Sequence, residues 1–162
     1  MLRRAPARIE GENYGQEGQG KSFLVADTNR LSKYYRQSEP VTVNSQEASR
    51  RRSDQHITLS ANEWTAYRIG SKSRKNYRVT VRVKAASPPA EAQLIVGSQV
   101  RQVAIGQNAW KEIKLDEIAL TEGTNRLRWL VTSGIVDLDW LELGPAEESL
   151  ESASRDSSGI LK

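Results

Sequence analysis

The chain has no cysteine and only one histidine among its 162 residues. The absence of cysteine excludes disulfides, thiolate zinc sites and a cysteine nucleophile, but it fits any redox compartment. A single histidine excludes a metal centre built from several imidazoles, and a Ser-His-Asp triad would have to use His56. No apolar run approaches the roughly 20 residues that span a bilayer, so we expect no membrane partner.

Targeting signals and a strong charge are also missing. Residues 1–4 are basic, but no apolar segment of about 7–15 residues follows them, so we expect no secretory signal in this sequence. Two interpretations stay open: an intracellular protein, or a module of a longer secreted protein. The net charge is +4, which is weak for a dedicated nucleic-acid-binding domain, and we expect no nucleic-acid partner.

The composition changes along the chain and predicts one folded domain over residues 7–144. Residues 1–6 are predicted to be a linker. Residues 145–162 are rich in Glu, Ser and Ala, and we expect a flexible tail or an inter-domain linker there, or a short helix over 147–153. No exposed apolar stripe is evident, so we expect a monomer.

Apolar residues recur at every second position, which is the period of a strand with one buried face. The pattern is clearest over residues 77–84 and 56–61, and Gly97-Ser98 predicts a hairpin turn. Further strands are predicted near residues 110–115, 127–131 and 135–143. We therefore predict an all-β protein, an antiparallel β-sandwich (jelly roll) of two packed sheets, with core positions for Trp64, Trp110, Trp129 and Trp140.

Four stretches, in this order and spacing, suggest a family. They read Ala-Arg-Ile-Glu-Gly-Glu-Asn-Tyr at 7–14, Ala-Asn-Glu-Trp-Thr-Ala-Tyr at 61–67, Leu-Thr-Glu-Gly-Thr-Asn-Arg-Leu at 120–127, and Val-Asp-Leu-Asp-Trp-Leu-Glu-Leu at 136–143. Together they resemble the carbohydrate-binding modules of families 6 and 35, which are β-jelly-roll domains attached to glycoside hydrolases and related secreted enzymes. The resemblance covers residues 7–143.

Glu10 and Glu12 share one face of the first predicted strand, so a cation, a proton or a basic partner must compensate their charges. Oxygen ligands of this kind suit calcium. The resemblance implies a structural Ca²⁺ held by Glu10, Glu12 and Asp139, which would join the first and last strands. The alternative is a solvated pair of glutamates, or salt bridges to nearby arginines.

A sugar site needs an aromatic surface for the C–H face of the ring and polar groups for its hydroxyls. The resemblance places the ligand-binding positions at Thr58, Gln107 and Asp137. None of them is aromatic, and aspartate replaces the family's asparagine, so this site would lack the usual pair of stacking rings. Four more residues are candidate ligand contacts: Tyr34, Tyr35, Arg36 and His56.

These features predict a non-catalytic carbohydrate-binding module that holds a covalently linked, secreted catalytic domain at its polysaccharide. Arginines at 50–52 and cations along the predicted strands favour an acidic ligand, unless they only form a solvated surface. The alternatives are a protein-binding or adhesion module on the same fold, and a glycosidase. The latter would use Glu10 and Glu12 as its carboxylate pair, although the metal explains these residues better.

Overall fold

The computed structural model describes residues 3–29, 36, 38–45 and 55–146. This part of the chain contains no helix that is long and apolar enough to cross a membrane. It forms ten strands: β1 (Arg3–Arg4), β2 (Ala7–Glu10), β3 (Phe23–Leu24), β4 (Thr42–Ser45), β5 (Gln55–Ser60), β6 (Trp64–Ser71), β7 (Lys75–Val96), β8 (Gln99–Ile105), β9 (Lys111–Leu120) and β10 (Gly123–Pro145).

The strands pack as two layers. In the first layer, β6 pairs with the first half of β10, which pairs in turn with the second half of β7, and β8 forms the far edge. In the second layer, β4 pairs with β5, and β5 pairs with the second half of β10. The first half of β7 and then β9 complete this layer, and β2 lies along the end of β10. The predicted β-sandwich is confirmed.

Strands β7 and β10 are long because each runs through both layers. They stay paired across the bend, where the register shifts between Val131 and Val136. Gly134, at φ 73°, packs so closely that an added Cβ would lie 2.8 Å from the carbonyl oxygen of Ser87. The predicted break between the strands near 127–131 and 135–143 is therefore wrong: β10 runs through it, and β7 and β10 bend together as one ribbon.

Alternating apolar residues of β7 and β10 fill the space between the layers, and Trp129 is completely buried among them. Trp64 and Trp140 are also buried, but outside this central cluster, each beneath an arginine. The guanidinium carbon of Arg128 lies 4.4 Å from the Trp64 ring centre, and that of Arg8 lies 3.8 Å from the Trp140 ring centre. The core position predicted for Trp110 is wrong: this residue is half-buried and precedes β9.

The N-terminus contributes to the first layer. Arg3 and Arg4, in the segment predicted to be a linker, pair in parallel with Ile69 and Gly70. The Ala5 amide donates a hydrogen bond to the Gly70 carbonyl at 2.8 Å. This short pair is the one parallel contact among the described strands. The tail predicted at 145–162 lies outside the described residues from 147 onward.

Candidate functional site

A polar cluster lies on the outer face of the second layer, and we call it the Asp137 cluster. Four neighbouring strands build it, because the register places Asn44 beside His56, Thr58 beside Asp137, and Asp137 beside Lys84. Its members are Asn44 (β4), His56 and Thr58 (β5), Asp137 (β10), Lys84 (β7), and Trp110 from the loop before β9.

The Asp137 carboxylate is the centre of the cluster and is only 5% exposed. The Thr58 hydroxyl donates a hydrogen bond to Asp137 Oδ1 at 2.6 Å, and the Asn44 amide donates to the Thr58 hydroxyl oxygen at 2.8 Å. Lys84 Nζ lies 3.6 Å from Asp137 Oδ2. The buried carboxylate thus fixes an ammonium, a hydroxyl and an amide that all lie closer to solvent.

His56 lies beneath this network, 6% exposed, with its Nε2 3.8 Å from Asp137 Oδ2. Burial lowers the pKa of His56; the Asp137 carboxylate opposes this change and the Lys84 ammonium adds to it. Burial thus favours the neutral imidazole, which makes its contact with Asp137 weaker than a pair of full charges.

Trp110 supplies an aromatic surface that the sequence interpretation missed. Its ring packs edge-on against His56, with the centroids 5.1 Å apart at 73°. Lys84 Nζ lies 5.0 Å from the ring centre and Arg82 Cζ lies 5.3 Å from it. The parity of the strand could have revealed this placement: Ile113 and Leu115 pack on the core, and an even-numbered position faces the other way.

The structure brings together three of the predicted ligand contacts, namely His56, Thr58 and Asp137. Gln107 is exposed in the loop that carries Trp110, and its carbonyl accepts a hydrogen bond from the Ala85 amide at 3.1 Å. Tyr34 and Tyr35 lie outside the described residues.

Arg36 does not join the cluster and has a structural role. Its guanidinium stacks 3.6 Å from the centre of the Tyr14 ring. It donates hydrogen bonds to the carbonyls of Tyr14 and Gly15, and it pairs with Glu39. Because this side chain is only 10% exposed, its donors are occupied inside the protein.

The predicted calcium ligands lie around the pairing of β2 with β10. Burial raises the pKa of Glu10, and the nearby charge of Asp139 raises it further. Glu12 is completely buried, and Asp139 accepts a hydrogen bond from Arg82 at 3.0 Å. Within the described ranges, no three His, Cys, Asp or Glu residues are grouped closely enough to hold a metal ion. The residues as placed do not form a complete calcium site, and this site stays a prediction.

Solved structures of carbohydrate-binding modules superpose on the β-sandwich of this chain. The module CsCBM6-3 of Clostridium stercorarium, solved with cellobiose, superposes with a TM-score of 0.59 at 16% identity, over 90% of this chain and 98% of that one. A β-1,3-glucan-binding CBM6 of Bacillus halodurans gives 0.61 at 12% identity, over 89% and 99%. The GH26-CBM35 β-(1,4)-mannanase of Podospora anserina gives 0.59 at 16% identity, over 89% of this chain.

This chain spans only 28% of the length of that mannanase. No protein-family profile matches the sequence, and no curated protein is similar to it at the level of sequence. The likeness is therefore one of three-dimensional structure: the chain has the β-sandwich fold of the family 6 and family 35 carbohydrate-binding modules.

Proposed function

We propose that this domain is a non-catalytic carbohydrate-binding module and that the Asp137 cluster is its sugar site. The observation that carries the proposal is the half-buried Trp110 ring beside a fixed set of polar groups. An indole offers an apolar surface to the C–H face of a pyranose, and neighbouring donors and acceptors bond its hydroxyls. This combination supplies the aromatic element that positions 58 and 107 lack.

The members of the Asp137 cluster have different roles in the proposed sugar binding. Trp110 stacks on the sugar, and Lys84, Asn44 and the Thr58 hydroxyl present polar atoms at the surface. Asp137 acts mainly as a positioning residue, because both of its oxygens already face groups of the protein. One stacking ring in place of two predicts weaker binding than a site with two rings.

The relation to an enzyme is part of the proposal. One structure with this fold is a mannanase, and this chain spans 28% of its length. We infer that this domain likewise belongs to a longer secreted enzyme, that it acts as a monomer, and that it raises the local concentration of the catalytic domain at its polysaccharide.

The structural calcium remains a separate proposal. It is supported by the resemblance and by the fully buried Glu12 carboxylate beside the pairing of β2 with β10. If the ion binds the folded state only, chelation with EDTA lowers the melting temperature of protein purified with calcium, and added calcium restores it. An identical melting temperature in both conditions would contradict the calcium proposal and would leave the proposal of the sugar site unaffected.

The test of the sugar site is retention in native gels cast with neutral xylan, β-glucan or agarose, or with alginate, pectin or carrageenan. The intact protein is compared with Trp110→Ala and with Trp110→Phe, which keeps an aromatic surface. We expect retardation by one class of glycan, loss of about tenfold in affinity for Trp110→Ala, and partial retention for Trp110→Phe.

Two results would count against the proposal. If the folded protein is retarded by none of the glycans, the protein-binding interpretation takes its place. If Trp110→Ala binds as well as the intact protein, the sugar site lies elsewhere on the sandwich. Melting curves of each variant show whether it is folded and must accompany either conclusion.

A further inference from the structure

A second charged feature lies on the first layer, away from the Asp137 cluster, and we call it the arginine pocket. Strands β6 and β10 contribute Arg68, Arg126 and Arg128, and the register places Arg126 directly opposite Arg68. Next to them is a cavity of about 340 Å³, lined by Arg68 and Arg126 together with Glu17 and Lys21. Arg68, Arg126 and Lys21 therefore bring cations from two strands and one loop to a single concave space. Arg128 does not line the cavity but shares the Trp64 ring with Arg126.

The guanidinium groups are held in place before any ligand arrives. Arg128 Cζ lies 4.4 Å and Arg126 Cζ lies 5.3 Å from the centre of the Trp64 ring. Arg126 Nη2 also donates a hydrogen bond to the Lys21 carbonyl at 2.7 Å. Stacking on an indole fixes the plane of a guanidinium while leaving part of its fork of N–H donors available. A ligand that binds there loses less free energy to side-chain ordering.

The charges in the pocket are unbalanced. Glu17 pairs with Arg68, but among the described residues no carboxylate lies within ion-pair distance of Arg126 or Arg128. Burial and the like charge of Arg128 lower the pKa of Arg126; the Glu17 carboxylate opposes this change, and Arg68 adds to it. Like charges directly opposite each other on paired strands destabilise a sheet. An anion in the cavity would remove this repulsion.

We propose that the arginine pocket binds the carboxylate or sulfate group of an acidic glycan, at a second site separate from the Asp137 cluster. Planar arginine forks match the oxygens of both anions. A glycan is favoured over nucleic acid because the cations surround one cavity that contains a carboxylate, instead of a stripe that follows successive phosphates. The choice of a glycan rests on the proposed function; the anion site itself rests on the pocket.

The experiment compares retardation in gels containing heparin, polygalacturonate or a neutral β-glucan. The test variant is Arg126→Gln/Arg128→Gln. The matched control is Lys72→Gln/Arg74→Gln, which removes two positive charges from exposed positions in the turn after β6. We expect at least about a fivefold loss of affinity for one acidic glycan in the test variant and less than about twofold in the control. Heparin and polygalacturonate distinguish a sulfate from a carboxylate ligand.

Two further variants distinguish a loss of the guanidinium groups from a loss of the fold. Arg126→Lys/Arg128→Lys keeps the charges over Trp64 and removes the forks, so we expect an intermediate affinity. Glu17→Gln removes the competing carboxylate and should strengthen retardation by the same acidic glycan. An inorganic sulfate titration, followed by the melting temperature, should stabilise the intact protein more than the test variant.

Equal losses in test and control variants would overturn the proposal, because they would reflect net charge alone. No retardation by either acidic glycan, or tighter arginine-dependent binding to duplex DNA than to both glycans, would overturn it as well. Retention by the neutral β-glucan reports on Trp110 and not on the pocket. A failure of the sugar site and a failure of the arginine pocket are therefore separate results.

Discussion

Replacing Asp137 by asparagine tests the arrangement of the candidate sugar site. The substitution keeps the shape of the side chain and removes its charge. A hydrogen bond to a charged group contributes about 1.5–3 kcal/mol and one between neutral groups about 0.5–1.5 kcal/mol, so the weakened bond from Thr58 costs about 1 kcal/mol. The Lys84 side chain is 27% exposed, so solvent screening keeps the loss of its ion pair below about 1 kcal/mol.

Asp137→Asn should therefore lower the free energy of unfolding by about 1–2 kcal/mol, which moves the urea midpoint down by about 0.5–1 M. The same change should lower the pKa of His56 further, because the carboxylate is the group that opposes the effect of burial. The imidazole C–H signals can be followed by NMR without an assignment problem, because the chain has one histidine. Asp116→Asn, at an exposed position of β9, is the control and should change neither quantity. An unchanged midpoint together with an unmoved or higher His56 pKa would refute the contact between these groups.

Acidification should also destabilise the protein: the pKa of His56 is lower in the folded than in the unfolded state, so its stabilising contribution is complete above about pH 6.5 and is lost as the pH falls through the folded value. Urea midpoints between pH 7.5 and 5 measure this trend, and a His56→Gln variant with the same slope would contradict the cause. Trp129→Ala should cost about 3–5 kcal/mol, because it empties a fully buried position between the layers, and a fall in melting temperature of only a degree or two would disagree. Tyr67→Phe should cost about 1–3 kcal/mol, because its buried hydroxyl donates to the Gly11 carbonyl at 2.7 Å; wild-type stability in urea would show that this bond contributes nothing.

The period-two pattern was sufficient to predict the sandwich and most of its strands, since alternation reports directly on which side chains face the core. The same pattern could not predict that β10 continues through Thr132–Gly134. Glycine between two apolar runs is typical of a turn, and here it allows a close approach to Ser87 instead. That approach depends on a strand more than 40 residues earlier in the chain, so no local window contains the information.

The candidate site was predictable in part. His56, Thr58 and Asp137 follow from the resemblance and strand parity, and the cross-strand register brings them together. Lys84 and Asn44 were not singled out, because their roles depend on which strands lie side by side. Trp110 was assigned to the core because large aromatic residues usually lie there, although its parity relative to Ile113 favours the outer face. Arg36 was predicted to contact the ligand, because nothing in the neighbouring sequence indicates that its guanidinium stacks on Tyr14 and pairs with Glu39.

The passage of β10 through both layers has a consequence for how the protein is made. Of the described strands β10 is the last to emerge from the ribosome, yet β2, β5, β6 and β7 all pair with it. Ala7 meets Leu143 and so closes a loop of nearly the whole domain, a long-range pairing of the kind that slows folding. The first layer cannot be completed until residue 131 has left the ribosome, and the second layer not until residue 145 has, so the nascent chain exposes unpaired strand edges while the domain is synthesised. We expect a ribosome-stalled chain that lacks β10 to bind chaperones and to remain sensitive to protease, and the addition of this one strand to protect both layers at once.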